Sequence, residues 1–278
     1  MFLGYNTNGM AHHGLFDAVA LLAELGYRGV AITIDHGVLS PRDRALRGQI
    51  ARLRLLLRQL GMRSVIETGA RFLLDPLQKH EPTLISADPA GRASRLGFYR
   101  HAIHCAAELG SDCVSIWSGA LRDNIARDQA LDRLVEGLAA VLDEAAGQGV
   151  AIGFEPEPGM LIDSMAGYAE LLLRIDRPNL RLTLDVGHLH CQGETPIAGM
   201  IRDWAPRLVN VHLEDMRAGV HEHLMFGEGQ IDFRPVLKTL ADVGYPGGAY
   251  VELSRHSHEA PAAARRALEF LSGILERL

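Results

Sequence analysis

Short runs of β-forming residues alternate with longer helix-patterned stretches along the whole chain, and this alternation limits the fold more than any other feature. The first run is Phe2 to Asn6, followed by a helical pattern of Leu15, Ala18, Val19, Leu22 and Leu25 that stops at Gly26. Further runs are read at 29–34, 64–67, 113–117, 151–155, 180–185, 208–213 and 249–253. Helices are expected at about 43–60, 94–109, 128–147, 164–175, 196–203, 232–243 and 259–278, several of them closed by glycine, as at Gly61 and Gly110.

Strict β-α alternation demands parallel strands joined by right-handed crossovers. Eight such units predict a closed (β/α)8 barrel, and the 278 residues match the size of one such domain, expected to span 1–278. An open doubly wound sheet is the competing topology, but no G-x-G-x-x-G follows a strand. No linker or low-complexity tract interrupts the pattern. The 26 residues from Thr68 to Ala93 exceed a usual connection, which marks a lid or binding loop.

Composition narrows function mostly by exclusion. A net charge of −6 argues against a basic nucleic-acid surface, so no nucleic-acid partner is expected. No apolar run approaches the length of a membrane span, and MFLGYNTNGM lacks the basic-then-apolar pattern of a secretory leader. Cys105, Cys113 and Cys191 show no metal-type spacing and read as reduced thiols of a cytoplasmic protein.

In eight-stranded barrels the strand C-termini carry the chemistry. Strands five to eight end GFE, LTLD, VNVHL and YVEL, delivering Glu155, Asp185, His212 and Glu252 to one rim. Three clustered carboxylates repel one another, and a divalent cation removes that cost while accepting all four groups as ligands. Oxygen-rich ligation with one imidazole suits one Mn²⁺, Mg²⁺, Co²⁺ or Zn²⁺ ion with positions left for substrate. Other rim residues carry two readings each. Glu67 ends strand three and either meets substrate or pairs with Arg71, four residues on. Arg71, Lys79 and His80 either bind an anionic group or are solvated loop charges. Trp117 is either an aromatic wall for a sugar-like ring or rim packing. Asn6, Asn8, Asp35 and His36 either contact hydroxyls or cap turns. His221 and His223 flank Glu222 and either hold a second metal, contact substrate or bond the loop.

The runs GFEPEPG (153–159), LTLDVGHLH (182–190), VNVHLED (209–215), HEHLMFGEGQIDF (221–233) and YVEL (250–253) resemble the xylose isomerase-like sugar phosphate isomerase/epimerase superfamily over the whole chain. That superfamily includes ketose 3-epimerases, hydroxypyruvate isomerases, inosose dehydratases and endonuclease IV. The resemblance implies metal ligands at Glu155, Asp185, His212 and Glu252, a substrate-contacting histidine at His188 and a substrate-contacting arginine at Arg217. It also implies a small carbohydrate-like substrate and a homodimer or tetramer. Endonuclease IV uses three zinc ions, and its extra histidines after the second and third strand units have no clear counterpart here, where strands three and four end in Glu67 and Trp117.

The expected activity is therefore isomerisation or epimerisation of a small polyhydroxy ketone or aldehyde through an enediolate, with Glu155 and Glu252 as the acid/base pair. The same chemistry with a leaving group β to the carbanion predicts a dehydratase of a cyclitol or cyclic keto-acid. A nuclease is the third reading.

Overall fold

A computed structural model describes residues 1–278. Its sheet runs in the order β1-β10-β7-β6-β5-β4-β3-β2 and closes into the expected barrel of parallel strands with helices between them. The chain divides into two compact units, one of residues 1–32, 55–64 and 182–278, the other of residues 33–54 and 65–181.

The first unit opens with β1 (Phe2–Asn6), α1 (Leu15–Leu25) and β2 (Gly29–Thr33, whose last residue lies across the division). All of β2 is buried, as befits a strand covered on both faces. The end of α2 (Leu46–Leu60) and the start of β3 (Arg63–Glu67) follow. The second unit carries the rest of those two elements, then α3 (Pro89–Leu109), β4 (Val114–Ile116), α4 (Arg127–Gly147), β5 (Ile152–Phe154), α5 (Met165–Arg174) and the first residues of β6 (Leu180–Asp185). The first unit resumes with α6 (Val186–Cys191), α7 (Ile197–Trp204), β7 (Leu208–Leu213), β8 (Asp215–Arg217), β9 (Val220–Leu224), α8 (Phe233–Asp242), β10 (Gly248–Val251) and α9 (Ala260–Leu275).

Within the first unit, β1 lies between β10 and β2, and β10 pairs with β7 so that Tyr250 opposes His212. Strand β7 also pairs with β6, and there Asp185 opposes His212. Gly4 is needed beside β10: a Cβ there would lie 2.2 Å from the Tyr250 ring. Buried Tyr27 ties α9 to the core by donating to the Ala264 carbonyl at 2.8 Å.

Within the second unit, β3, β4 and β5 pair in parallel. The long connection after β3 is organised by Arg95 of α3, a fully buried guanidinium. It donates to the carbonyls of Pro82 (2.6 Å), Thr68 (3.2 Å) and His80 (2.5 Å). Its charge lies over the Trp117 ring at 5.1 Å and the Tyr99 ring at 5.4 Å. Main-chain carbonyls and aromatic faces thus replace the water that a buried cation loses.

Three local departures from the periodicity reading have identifiable causes. Helix α3 starts at Pro89, five residues before the expected Ser94, because Asp88 caps the N–H groups of Ala90 and Gly91 and proline suits the first turn. The six residues of α6 form because Asp185 accepts the His188 N–H. The stretch between β7 and α8, read as loop, contains the antiparallel hairpin β8–β9. The three cysteines are buried and free.

Candidate metal centre and active site

The polar cluster of the first unit grows from the ends of three strands. Asp185 ends β6, and its Oδ1 accepts the His188 N–H at 2.7 Å while Oδ2 is buried with no hydrogen-bond partner. His212 lies opposite on β7, with Nδ1 2.9 Å from Glu252 Oε2 and 3.7 Å from Asp185 Oδ2. The Asn210 amide, two residues back on the same strand face, holds His212 Nε2 at 3.1 Å and so points Nδ1 at the carboxylates. Glu252 follows β10, and its Oε1 accepts from Asn8 Nδ2 at 2.6 Å. Asn8 is itself fixed by Asn6, whose side chain accepts the Asn8 N–H at 3.0 Å.

A further carboxyl lies beneath. Glu214 is fully buried, and its Oε1 accepts the Gly187 N–H at 3.0 Å. Burial, with the charge of Asp185 added, raises its pKa well above the ordinary carboxylate range. Burial pushes Asp185 and Glu252 the same way, but nearby imidazoles outweigh it. His188, a hydrogen bond from Glu214 and His212 hold Asp185 low, and His212, His223 and His188 hold Glu252 low. Burial lowers the His188 pKa to about 4, against the pull of Asp185. Burial thus disfavours charge on Glu214 and His188, while the neighbouring groups favour it on Asp185 and Glu252. One ligand atom each of Asp185, His212 and Glu252 lies within 4.8 Å of the others.

Asp215 shapes the neighbouring loop. Its carboxylate accepts the N–H groups of Gly227 (2.9 Å), Gly229 (3.0 Å) and Ile231 (3.0 Å), and of Met216 (3.0 Å). A Cβ on Gly229 would sit 2.2 Å from Asp215 Oδ1, so glycine is required there. The hairpin this loop follows carries His221 and His223, while Glu222 between them pairs with Arg255. Arg217 ends β8, is exposed, and donates to the Glu228 carbonyl at 3.2 Å.

In the second unit, Glu155 follows β5 and is buried, its N–H donating to the Ile116 carbonyl at 2.8 Å. Buried Glu67 ends β3. Trp117 follows β4 and meets the His80 ring edge-on at 5.6 Å. Arg71 lies at φ +36° and pairs with Asp35 at 3.4 Å. Lys79 is exposed.

Strand-end reasoning singled out Glu155, Asp185, His212 and Glu252, and of these the structure brings Asp185, His212 and Glu252 together within the first unit. It passed over Glu214, Asp215 and Asn210. The signal for the first two was the acidic pair directly after His212 in VNVHLED, and for Asn210 its i, i+2 spacing to His212.

The xylose isomerase-like TIM-barrel model matches residues 19–274. The chain belongs to that family. Among its curated relatives is an L-ribulose-5-phosphate 3-epimerase of Salmonella paratyphi A, 30% identical over 204 residues that cover 72% of this chain and 70% of the relative. The equivalent protein of Shigella flexneri serotype 5b is 28% identical over the same shares. Among solved structures of the xylose isomerase-like fold, an L-ribulose 3-epimerase aligns at a TM-score of 0.78 with 21% identity, covering 99% of this chain and 95% of that one. The 3-keto-D-glucoside 4-epimerase of E. coli aligns at 0.79 with 17% identity over 98% and 99% of the two chains. Kinship with these xylose isomerase-like proteins supports an enzyme of the isomerase/epimerase class. No helix is long and apolar enough to cross a membrane.

Proposed function

We propose that this chain is a divalent-metal-dependent sugar epimerase or isomerase acting on a small polyhydroxy ketone or aldehyde. One observation carries the reading: one ligand atom each of Asp185, His212 and Glu252 lies within 4.8 Å of the others, with His212 Nδ1 2.9 Å from Glu252 Oε2 and 3.7 Å from Asp185 Oδ2. Two carboxylates gathered this closely in a buried cluster call for a cation. The donor set, two carboxylates and an imidazole, fits Mn²⁺, Mg²⁺, Co²⁺ or Zn²⁺. Glu155, the buried carboxylate that follows β5, is offered as the fourth ligand, since β5 neighbours β6 in the barrel order. When bound, the cation would polarise neighbouring oxygens of a hydroxy-ketone and so acidify the C–H between them.

The chain's own residues do the rest. Glu252, held by Asn8, removes or returns the proton at that carbon, and Glu155 performs the converse transfer. Asp185 and His212 position the reacting oxygens, and Asn210 orients His212. Burial disfavours a charge on Glu214. His188, Glu67, Trp117, Arg217, His223 and Arg71 are offered as substrate contacts. The named activity of the Salmonella relative, 3-epimerisation of L-ribulose 5-phosphate, suggests a ketopentose or its phosphate as the first substrates to try.

The test is solvent deuterium exchange into a panel of ketoses and ketose phosphates, with the manganese-loaded enzyme. Exchange at the carbon next to the carbonyl is expected, and Glu155→Gln and Glu252→Gln should each abolish it while leaving the circular dichroism spectrum unchanged. Near wild-type exchange in either variant would refute that residue's acid/base role. Loss of water without epimer formation would redirect the reading to a dehydratase.

A further inference from the structure

Arg95 of α3 is the largest fully buried side chain of the protein, and no step of the proposed chemistry uses it. It donates to the carbonyls of Thr68, His80 and Pro82, and three aromatic rings flank it. The Glu81 carboxylate is engaged elsewhere, by Arg122 at 2.7 Å and by Ser86 at 3.1 Å. A cation buried in this way loses solvation that an apolar side chain of similar volume would not. Packing alone therefore gives no reason for an arginine here.

The segment that Arg95 holds is strained. Ala70, Arg71 and His80 have φ of +56°, +36° and +69°, a left-handed region that residues other than glycine seldom enter. Such conformations persist only where the surroundings over-determine them, and they cluster at functional sites. The Arg71 carbonyl accepts the His80 N–H at 2.6 Å and closes the turn. Arg95 grips this turn at both ends, at Thr68 before it and at His80 and Pro82 where it closes. We propose that Arg95 is a positioning residue for substrate: it fixes the 68–82 turn and the Trp117 ring so that Arg71, His80 and Trp117 form one wall for a sugar. The inference rests on the reading of Arg71 and Trp117 as substrate contacts and adds His80 to them.

Each part of the wall is set by this arrangement. The Arg95 charge lies over the Trp117 ring at 5.1 Å, and His80 meets the same ring edge-on at 5.6 Å. Tyr99, whose ring also lies by Arg95, donates to the Trp117 carbonyl at 3.4 Å. His80 Nδ1 bonds the Gly69 carbonyl, which can only accept, so Nδ1 carries the proton and Nε2 keeps a lone pair for a sugar hydroxyl. Arg71, steadied by Asp35 at 3.4 Å, supplies donors. An aromatic ring with one acceptor and one fork of donors suits a small polyhydroxylated ligand. Arg95 is fully buried and acts through these three side chains.

The experiment titrates full-length, manganese-loaded enzyme with the ketose that exchanges solvent deuterium fastest, beginning with L-ribulose and its 5-phosphate. Arg95→Met removes the fork without leaving a buried charge, and should raise KM about tenfold while kcat stays within about threefold. Arg95→Lys keeps the charge but not the planar fork, should give an intermediate KM, and carries the test if Arg95→Met does not fold. Circular dichroism and manganese stoichiometry should match wild type in both. His80→Ala added to Arg95→Met should raise KM by less than about twofold more, whereas independent effects would multiply. In a Trp204→Phe background, where Trp117 is the one tryptophan left, ketose should alter the emission, with its midpoint displaced by the same factor in Arg95→Met. Unchanged KM, kcat falling as far as KM rises, full multiplication with His80→Ala, an emission that ketose leaves unaltered, or failure of both Arg95 variants to fold overturns the proposal. Absence of exchange by wild type with every ketose is a separate signature: it refutes the epimerase reading, and the proposal falls with it.

Discussion

Replacing Asp215 with asparagine should be among the most damaging near-isosteric changes in the chain. Each carboxylate oxygen takes two main-chain N–H donors, Gly227 and Gly229 on Oδ2 and Met216 and Ile231 on Oδ1. Asparagine retains one acceptor oxygen and sets an NH₂ group against two of those donors. A hydrogen bond to a charged acceptor contributes about 1.5–3 kcal/mol, so losing two costs about 3–6 kcal/mol. Gly227 is exposed and can bond water instead, which favours the lower end, about 3 kcal/mol. For a chain of this size that is a fall in melting temperature of roughly 6–10 °C. Urea titration followed by circular dichroism measures the change, with wild-type m-value as the check that the unfolded reference is unaltered. A loss below about 1 kcal/mol would mean that water satisfies the loop as well as Asp215 does, and the clasp argument would fail.

Gly187→Ala places a Cβ 2.0 Å from Glu214 Oε1 and 2.8 Å from the Met216 Cε, so a destabilisation of about 2–3 kcal/mol is expected in the same titration; a neutral substitution would show that the Glu214 pocket is loose. Arg95→Met leaves the carbonyls of Thr68, His80 and Pro82 without their donor. At about 1–3 kcal/mol each, the 68–82 segment should open locally, read as faster amide exchange and proteolysis there, and wild-type protection would refute the role. Burial lowers the pKa values of His80 and His101 below the usual 6.5. The unfolded chain therefore takes up protons first, so their stabilisation is full above pH 6.5 and is lost as pH falls towards the folded values. Melting temperatures should drop between pH 7.5 and 5.5, and His80→Gln with His101→Gln should flatten that slope; an unaltered slope would assign the acid sensitivity elsewhere.

What could be read from residue order was whatever depends on near neighbours. Alternating periodicity yields the eight barrel strands, because a strand or helix buries a face set by spacings of two or about 3.6 residues. Barrel geometry then makes strand-end residues converge, which is why Asp185, His212 and Glu252 could be named in advance. Asp88 before Pro89 was a legible start signal that the helical periodicity reading passed over. Other features depended on partners distant in the chain. The Glu214 pKa is raised only because the side chain is buried against Asp185, 29 positions earlier. Arg71 pairs with Asp35 only after β3 has been laid beside residue 34. His188 joins His221 and His223 only once β9 folds back over α6. Local sequence sets which face a side chain occupies; pKa shifts and ion partners follow from burial and through-space distance, and those quantities exist only in the folded chain.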